Sequence, residues 1–385
     1  MSTVMNGPAH RPGRIVAKNA AKKVHEYFTR HWQQRKETSG DTPASVASAE
    51  AIEAVIDAAF RVSLRREEGD ILRLSLAILA PEEAVRPLVF EDGLPLTPGS
   101  LARVSPAVAR SRLHVAVWNL GDELHAWGTV RSIPPSCCVI EVVAPGLQVI
   151  KRGPSEQPSK FVNVAVLDGD QIKIVNDRAL AITGCLPLVS STLGCDSTPR
   201  LDSVDVLQEL AVSMRAHGRG GALLVVPGDS DLWRESLVHP MPYAVRSRFS
   251  TLAELAHEPA ERRGRRWEAD LSDAVEMIAG LTAVDGATVI TDQYQLIAFG
   301  AKIAPRQNHV RVEQVTVTES IEDGVPVIMH PTLLGGTRHF SAVQFVNEQR
   351  NALALVASQD GHFTVFSWSP SATMVRAHRI ETLLM

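Results

Sequence analysis

The spacing of apolar residues predicts two helices near the start of the chain. The basic stretch 15–36 contains three aromatic residues that would share one helical face, Tyr27, Phe28 and Trp32. After Ser48, a favourable N-cap, a second helix is predicted by apolar residues that recur at intervals of three and four, Ile52, Val55, Ile56, Ala59 and Phe60. We interpret the basic helix as docked through its aromatic residues, with contact to nucleic acid or lipid as the alternative.

Between residues 71 and 177 the pattern changes to short β-type runs. Examples are 113–118, 138–143, 161–167 and 171–175, and turn residues such as Gly121-Asp122 and Pro145-Gly146 separate such runs. We therefore predict that residues 1–200 form an α+β domain with a largely antiparallel sheet. No catalytic constellation is visible in it. The segment 184–199, rich in Ser, Thr and Gly, is the predicted domain boundary.

Residues 205–370 have the pattern of a second domain, of the α/β type. The uninterrupted apolar run Gly221–Val226 is typical of a strand that is covered on both faces. Predicted helices at 204–215 and around 271–278 accompany further predicted strands at 287–291, 295–299, 353–357 and 363–368. We predict a mixed central sheet flanked by helices, followed by a C-terminal tail at 371–385.

Composition narrows the possible functions only slightly. The 385 residues are 45% hydrophobic and 21% charged with a net charge of −4, which is typical of a globular protein and argues against a strongly basic nucleic-acid binder. The four cysteines are too few and too poorly spaced for a disulfide framework, which favours a cytoplasmic setting. The start of the chain lacks the layout of a signal peptide. No apolar run approaches the roughly 20 residues that cross a bilayer, so we expect no membrane segment.

Common catalytic signatures are absent from the sequence. The Gly-rich stretch 218–221 lacks the Gly-Lys-Ser/Thr of a P-loop and precedes a strand, whereas a P-loop follows one. The sequence contains no His-Glu-x-x-His, Cys-x-x-Cys or Gly-x-Ser-x-Gly motif, so metalloprotease, zinc-ribbon and esterase functions have no support.

Two other segments carry candidate chemistry. The first is Asp285-Gly286-Ala287, where a carboxylate stands at the start of an apolar strand; its alternative interpretation is a simple turn. The second is Gly336-Thr337-Arg338-His339, which opens a helix. A helix N-terminus approached through glycine binds anions, and Thr and Arg add a hydroxyl and a bidentate cation for phosphate oxygens. The alternative is that Thr337 only caps the helix.

Taken together and in this order, these motifs resemble the diadenylate cyclase domain. The family shows a Gly-Ala-initiated apolar strand, then Asp-Gly-Ala, then Gly-Thr-Arg-His-Arg at a helix start, then a strand ending in Ser-Glu. This chain offers Gly221-Ala222, Asp285-Gly286-Ala287, Gly336-Thr337-Arg338-His339 and Val356-Ala357-Ser358. The resemblance covers residues 205–370, and residues 1–200 are similar in arrangement to the N-terminal sensor modules fused to such cyclases.

The resemblance implies condensation of two ATP into cyclic di-AMP with release of two pyrophosphates, in a homodimer whose catalytic domains face each other. It assigns catalysis to Asp285, Arg338 and His339, with Asp285 and His339 also contacting Mg²⁺ or Mn²⁺. The nucleotide-binding residues that it implies are Gly286, Ala287, Gly336, Thr337 and Ser358. ATP is then the expected substrate, and a nucleic-acid partner is not expected.

The chain departs from the family at two positions. The second Arg of the helix motif is Phe340, and the Glu after Ser358 is Gln359, with Asp360 next. Asp360 is a candidate replacement for the carboxylate, and the missing cation has three candidates, Arg306, Arg311 and Arg350. The first two belong to the predicted insert at 305–331. The alternative function is a degenerate cyclase domain that senses ATP or a dinucleotide.

Overall fold

Two separate sheets organise the chain, one in residues 12–175 (the N-terminal unit) and one in residues 206–384 (the C-terminal unit). The computed structural model describes residues 12–39, 45–67, 70–108, 113–121, 123–154, 161–175, 206–306, 310–321 and 324–384. The boundary predicted at 184–199 lies outside these residues.

The N-terminal unit begins with the two predicted helices, α1 (Pro12–Ser39) and α2 (Ala49–Ser63). Ser48 caps α2 as predicted, because its hydroxyl accepts a hydrogen bond from the amide of Ala51 at 3.1 Å. Helix α1 is docked mainly by small residues, with Phe28 the one large side chain among them; the buried positions are Ala17, Ala20, Ala21, Val24 and Phe28. Tyr27 and Trp32 are only half-buried.

The sheet of this unit has eight strands in the order β10-β9-β8-β7-β3-β5-β6-β4. All neighbours are antiparallel except β3 and β5. The strands are β3 (Leu74–Ile78), β4 (Leu88–Pro95), β5 (His114–Leu120), β6 (Glu123–Val130), β7 (Cys138–Ala144), β8 (Leu147–Arg152), β9 (Val162–Asp168) and β10 (Gln171–Ile174). Two short strands, β1 (Arg66–Glu67) and β2 (Asp70–Ile71), pair separately, and α3 spans Pro98–Val108.

The C-terminal unit is built on a nine-stranded mixed sheet in the order β12-β14-β13-β11-β17-β18-β19-β15-β16. The pairs β11/β13 and β15/β19 are parallel and the others are antiparallel. Its strands are β11 (Gly221–Val226), β12 (Tyr243–Phe249), β13 (Ala287–Thr291), β14 (Leu296–Ala301), β15 (Val315–Glu319), β16 (Val327–Met329), β17 (Leu353–Ala357), β18 (Phe363–Ser369) and β19 (Met374–Arg379). Its helices are α4 (Val206–Ala216), α5 (Thr251–Ala256), α6 (Arg265–Leu281) and α7 (Thr337–Glu348).

Helices cover both faces of the centre of this sheet. Leu224 and Val226 face the core that contains α7, whereas Leu223 and Val225 face the core that contains α4 and α6. Every residue of β11 is buried as a result. The uninterrupted apolar run of β11 follows from this arrangement, because neither face of the strand meets water.

The prediction of a C-terminal tail at 371–385 is wrong. Strand β19 lies inside the sheet, antiparallel to β18 and parallel to β15. The predicted insert at 305–331 likewise contains β15 and β16, which extend the sheet to its edge. The sequence signal of β19 is weak because Arg376 and His378 interrupt its apolar residues, although His378 is fully buried.

Candidate functional site

Four strands of the C-terminal unit have a terminus on the same side of the sheet. Strands β11 and β13 begin there, β14 and β17 end there, and the residues at these termini are small. Ala287 of β13 pairs with Ala301 of β14, and Gly221 of β11 pairs with Ala357 of β17. Together with Ala222, the three alanines line a cavity of about 670 Å³. This volume is within the range of sites that bind small molecules, and the short side chains keep the cavity open.

The start of α7 forms another wall of the cavity. The helix begins at Thr337, and its N-cap residue Gly336 contributes no side-chain hydrogen bond. The first amides of a helix, here those of Thr337 and Arg338, have no acceptor within the helix and carry part of its positive dipole. A helix start of this kind favours anions such as phosphate.

The cavity gathers every site residue that the sequence predicts. They come from three separate segments, and all of them line it: Asp285, Gly286, Ala287, Gly336, Thr337, Arg338, His339 and Ser358. Lys302, which follows β14, also lines the cavity and was not predicted from the sequence. The tight turn between β13 and β14 was an available signal, because hairpin pairing places the end of β14 beside the start of β13.

Asp285 stands at the rim of the cavity, with 86% of its side chain exposed. Its Oδ2 lies 3.6 Å from the Nζ of Lys302. The next residue, Gly286, has a φ of +106°, and a Cβ there would lie 2.5 Å from the carbonyl carbon of Gly300. Only glycine fits this close approach, so the Asp-Gly pair sets where β13 starts and where the carboxylate lies.

Arg338 lies over the backbone that precedes β11. A Cβ added to Gly220 would be 3.1 Å from Nη1 of Arg338, and Gly220 has a φ of +70°. The guanidinium therefore packs against a glycine without steric hindrance. With Lys302 on the opposite hairpin, it is one of two cations that line the cavity within the described residues.

His339 is a buried polar group with a free ring nitrogen. The residue is 4% exposed, and its Nε2 has no hydrogen-bond partner. Burial lowers the pKa of His339, so the ring is neutral at pH 7. Phe366 packs edge-on against the ring at 6.0 Å between centroids. A neutral imidazole held in this way can donate to a phosphate oxygen or bind a metal ion through Nε2.

The turn between β17 and β18 contributes Ser358, Gln359 and Asp360 to the cavity. The Ser358 hydroxyl donates to the Asp360 carboxylate, and this hydrogen bond lowers the pKa of Asp360. Gln359 donates from Nε2 to the carbonyl oxygen of Arg219 at 3.3 Å. The carboxylate absent at position 359 is thus present one residue later, at the cavity.

Two further contacts hold the turn between β17 and β18. Arg215 donates from Nε to the carbonyl oxygen of Gly361 at 3.2 Å, and Nδ1 of His362 lies 3.2 Å from Oε1 of Glu381. Glu381 raises the pKa of His362 through this hydrogen bond.

None of the three arginines considered as substitutes for the missing cation lines the cavity. The Arg311 guanidinium lies over the Phe340 ring at 5.1 Å, and that of Arg350 lies over the Trp368 ring at 4.0 Å. The third, Arg306, pairs with Glu235 at 3.2 Å. Lys302 is therefore the additional cation at this site.

The described residues contain no group of three or more His, Cys, Asp or Glu side chains that could hold a metal ion by themselves. The donors at the cavity are the carboxylates of Asp285 and Asp360 and the Nε2 of His339. This donor set suits Mg²⁺ or Mn²⁺ that completes its coordination with phosphate oxygens and water.

Comparison with known proteins finds a match for part of the N-terminal unit. A family model described as "Probable sensor domain DACNV" matches residues 41–131, a range that includes α2 and extends through β6. The match supports a sensor domain in this unit. No curated protein matches the chain.

Among solved structures, the chain is similar to a hypothetical membrane spanning protein from Bacillus cereus, with 14% identity over 46% of this chain and 67% of that chain. The TM-score of 0.26 is too low to establish a shared fold. In the part of the chain that the structure describes, no helix has the length and apolar character needed to cross a bilayer.

Proposed function

We propose that the chain is a diadenylate cyclase that condenses two ATP into cyclic di-AMP under the control of its N-terminal sensor domain. The supporting observation is that Asp285-Gly286-Ala287 and Gly336-Thr337-Arg338-His339, about fifty residues apart in sequence, line one cavity with Ser358. The name of the matching sensor family also hints at an association with diadenylate cyclases.

In this proposal the start of α7 binds the phosphates of one ATP. Thr337 and Arg338 contact phosphate oxygens through the hydroxyl, the guanidinium and the free amides, and Lys302 adds a second positive charge. The neutral ring of His339 supplies one further contact through Nε2. A divalent ion, Mg²⁺ or Mn²⁺, held by Asp285 or His339 together with the phosphates would neutralise part of their charge.

The reaction then needs the 3′-hydroxyl of one ATP in line with the α-phosphorus of the other. A new bond forms from the hydroxyl oxygen to phosphorus, the bond from that phosphorus to the bridging oxygen breaks, and pyrophosphate leaves with the electron pair. Asp285 orients the hydroxyl and accepts its proton. A second, identical step closes the ring, and positioning and charge neutralisation supply most of the catalysis.

Among the described residues, each copy of the C-terminal unit offers one cavity large enough for a nucleotide, so two copies of the chain must face each other. Asp285 suits such an arrangement, because its carboxylate lies at the rim and is 86% exposed, within reach of a nucleotide held by the second copy. We therefore propose a homodimer. ATP as substrate, and the free thiols of Cys137 and Cys138, fit a cytoplasmic protein.

The second candidate is a sensor that binds ATP or a dinucleotide without turnover. It is favoured by Phe340, whose ring contacts Arg311 and brings no charge to the phosphates, and by Gln359, whose amide is bonded to the Arg219 carbonyl. Loss of one phosphate-binding cation slows turnover by ~10² or more while leaving binding possible.

The test combines an activity assay with a binding assay on the full-length protein. Purified protein is incubated with ATP and Mn²⁺ or Mg²⁺, cyclic di-AMP is measured by chromatography, and ATP binding is measured by calorimetry. Formation of cyclic di-AMP supports the cyclase, binding without product supports the sensor, and absence of binding contradicts both. Asp285→Asn should abolish product, whereas Asp273→Asn, at an exposed position on α6, should not.

A further inference from the structure

A second, smaller cavity of about 100 Å³ shares two lining residues, Ile303 and Ser341, with the larger one. The segment 303–305, which follows β14, forms one side of it. The other side belongs to α7 and includes Phe340 and Gln344. The two cavities are therefore neighbours, with Ile303 and Ser341 contributing to both.

Gln344 is the unusual residue of this smaller cavity. It is 5% exposed, and neither its Oε1 nor its Nε2 has a hydrogen-bond partner. A buried donor or acceptor without a partner costs about 1–3 kcal/mol. The nearby carboxylate of Glu348 is already engaged, since its Oε2 accepts from the Ser236 hydroxyl at 2.6 Å and from the Arg306 amide at 3.2 Å.

The position of Gln344 on α7 relates it to the phosphate end of the site. It lies seven residues after Thr337, which is two turns and about 10 Å along the helix axis, so both residues are on the same side of α7. A nucleotide whose phosphates sit at the helix start would place its ribose along the helix and its base near Gln344.

We propose that Gln344 is the specificity-determining residue for the base of the bound nucleotide. The inference rests on the proposed function and deepens it. The amide of glutamine offers one donor beside one acceptor, and it forms paired hydrogen bonds with the 6-amino group and N7 of adenine. Ile303 and Phe340 supply apolar surface for the faces of the base. A bound adenine would satisfy both buried atoms of Gln344 at once.

The inference is tested by removing one hydrogen-bonding group from the ligand and one from the protein. Affinities for ATP and for purine riboside 5′-triphosphate, which lacks the 6-amino group, are measured by calorimetry on the full-length protein. The wild type should bind ATP about tenfold more tightly, which is near the lower end of the discrimination that one bidentate hydrogen-bonded pair provides. Gln344→Met, which keeps the length of the side chain, should reduce the ratio of the two affinities to nearly one.

Gln293→Met is the matched control, because Gln293 is exposed in the turn between β13 and β14 and lines neither cavity. This variant should keep the preference for ATP. Equal affinity of the wild type for the two nucleotides overturns the inference even if Gln344→Met does not fold. An unchanged preference for ATP in Gln344→Met also overturns the inference but leaves the proposed function intact. This outcome is expected if a buried water forms the hydrogen bonds of the Gln344 amide. A wild type that binds neither nucleotide refutes the proposed function, and the inference with it.

Discussion

The carboxylate of Asp285 and the ammonium group of Lys302 face each other at the mouth of the large cavity, with 3.6 Å between Oδ2 and Nζ. Their side chains are 86% and 64% exposed, so the pair contributes at most about 1 kcal/mol to folding. Both charges are therefore available to a ligand. The pairing follows from the β13–β14 hairpin, in which Ala287 lies opposite Ala301.

Lys302→Met should separate ligand binding from stability. We expect the affinity for ATP to fall about tenfold, because one cation at the phosphates is lost, with a change of less than about 0.5 kcal/mol in the free energy of unfolding. Calorimetry and urea unfolding measure the two quantities. Lys173→Met, in the N-terminal unit, is the control and should leave ATP affinity unchanged. An unaltered affinity in Lys302→Met would remove Lys302 from the site.

Gly286→Ala should strongly destabilise the C-terminal unit. The added Cβ would lie 2.5 Å from the Gly300 carbonyl carbon, and the φ of +106° is unfavourable for alanine. We expect a loss of about 2 kcal/mol or more in the free energy of unfolding, measured by urea denaturation. Gly264→Ala is the control, since a Cβ there meets nothing within 4 Å and its φ is −132°. Equal stability of the two variants would contradict this packing.

His378 should make the C-terminal unit less stable in acid. Burial lowers the pKa of His378 to about 4, and its Nδ1 lies 2.7 Å from the Thr318 hydroxyl. The unfolded chain binds a proton near pH 6.5 and the folded chain only near pH 4, so stability is full above pH 6.5 and falls as the pH drops between these values. The loss is about 3 kcal/mol.

Urea unfolding at pH 7 and pH 4.5, followed by tryptophan fluorescence, measures this loss. In His378→Gln the difference between the two pH values should be smaller by about 2 kcal/mol, because the titrating group is gone. A difference as large as that of the wild type would assign the acid sensitivity to other groups.

His362 should have the opposite pH dependence. Its hydrogen bond with Glu381 raises the pKa of His362, with Asp360 adding to the effect and Arg379 opposing it. The stabilisation is complete below pH 6.5 and is lost as the pH rises through the raised pKa. We expect ATP affinity to weaken as the pH rises above 6.5 and through the raised pKa, because the contact holds the turn that carries Asp360.

His362→Asn should bind ATP more weakly at pH 6, where His362 is protonated, and should lose most of this pH dependence, as measured by calorimetry from pH 6 upwards. His257→Asn, in the same unit, is the control, and its pH profile should follow that of the wild type. An unchanged profile in His362→Asn would show that the turn does not depend on this contact.

Several elements were predictable because their signals are local. The strands predicted at 287–291 and 353–357 are confirmed at those bounds, and the α2 cap at Ser48 is confirmed as well. Strand β19 was missed because Arg376 and His378 interrupt its apolar residues, and because β15, the parallel partner on its other side, is distant in sequence. The polar residues of β19 carry no local sign of burial.

The features of the candidate site also fall into those that local sequence determines and those that depend on the tertiary structure. The sequence alone determined which glycines permit close backbone approach and which residues open α7, because backbone freedom and helix capping depend on neighbours in sequence. The tertiary structure decided that Lys302 stands beside Asp285 and that the amide of Gln344 is buried without a partner. The first property depends on the register of the β13–β14 hairpin, whose pairing shifts at two places, and the second on packing between segments that are distant in the chain.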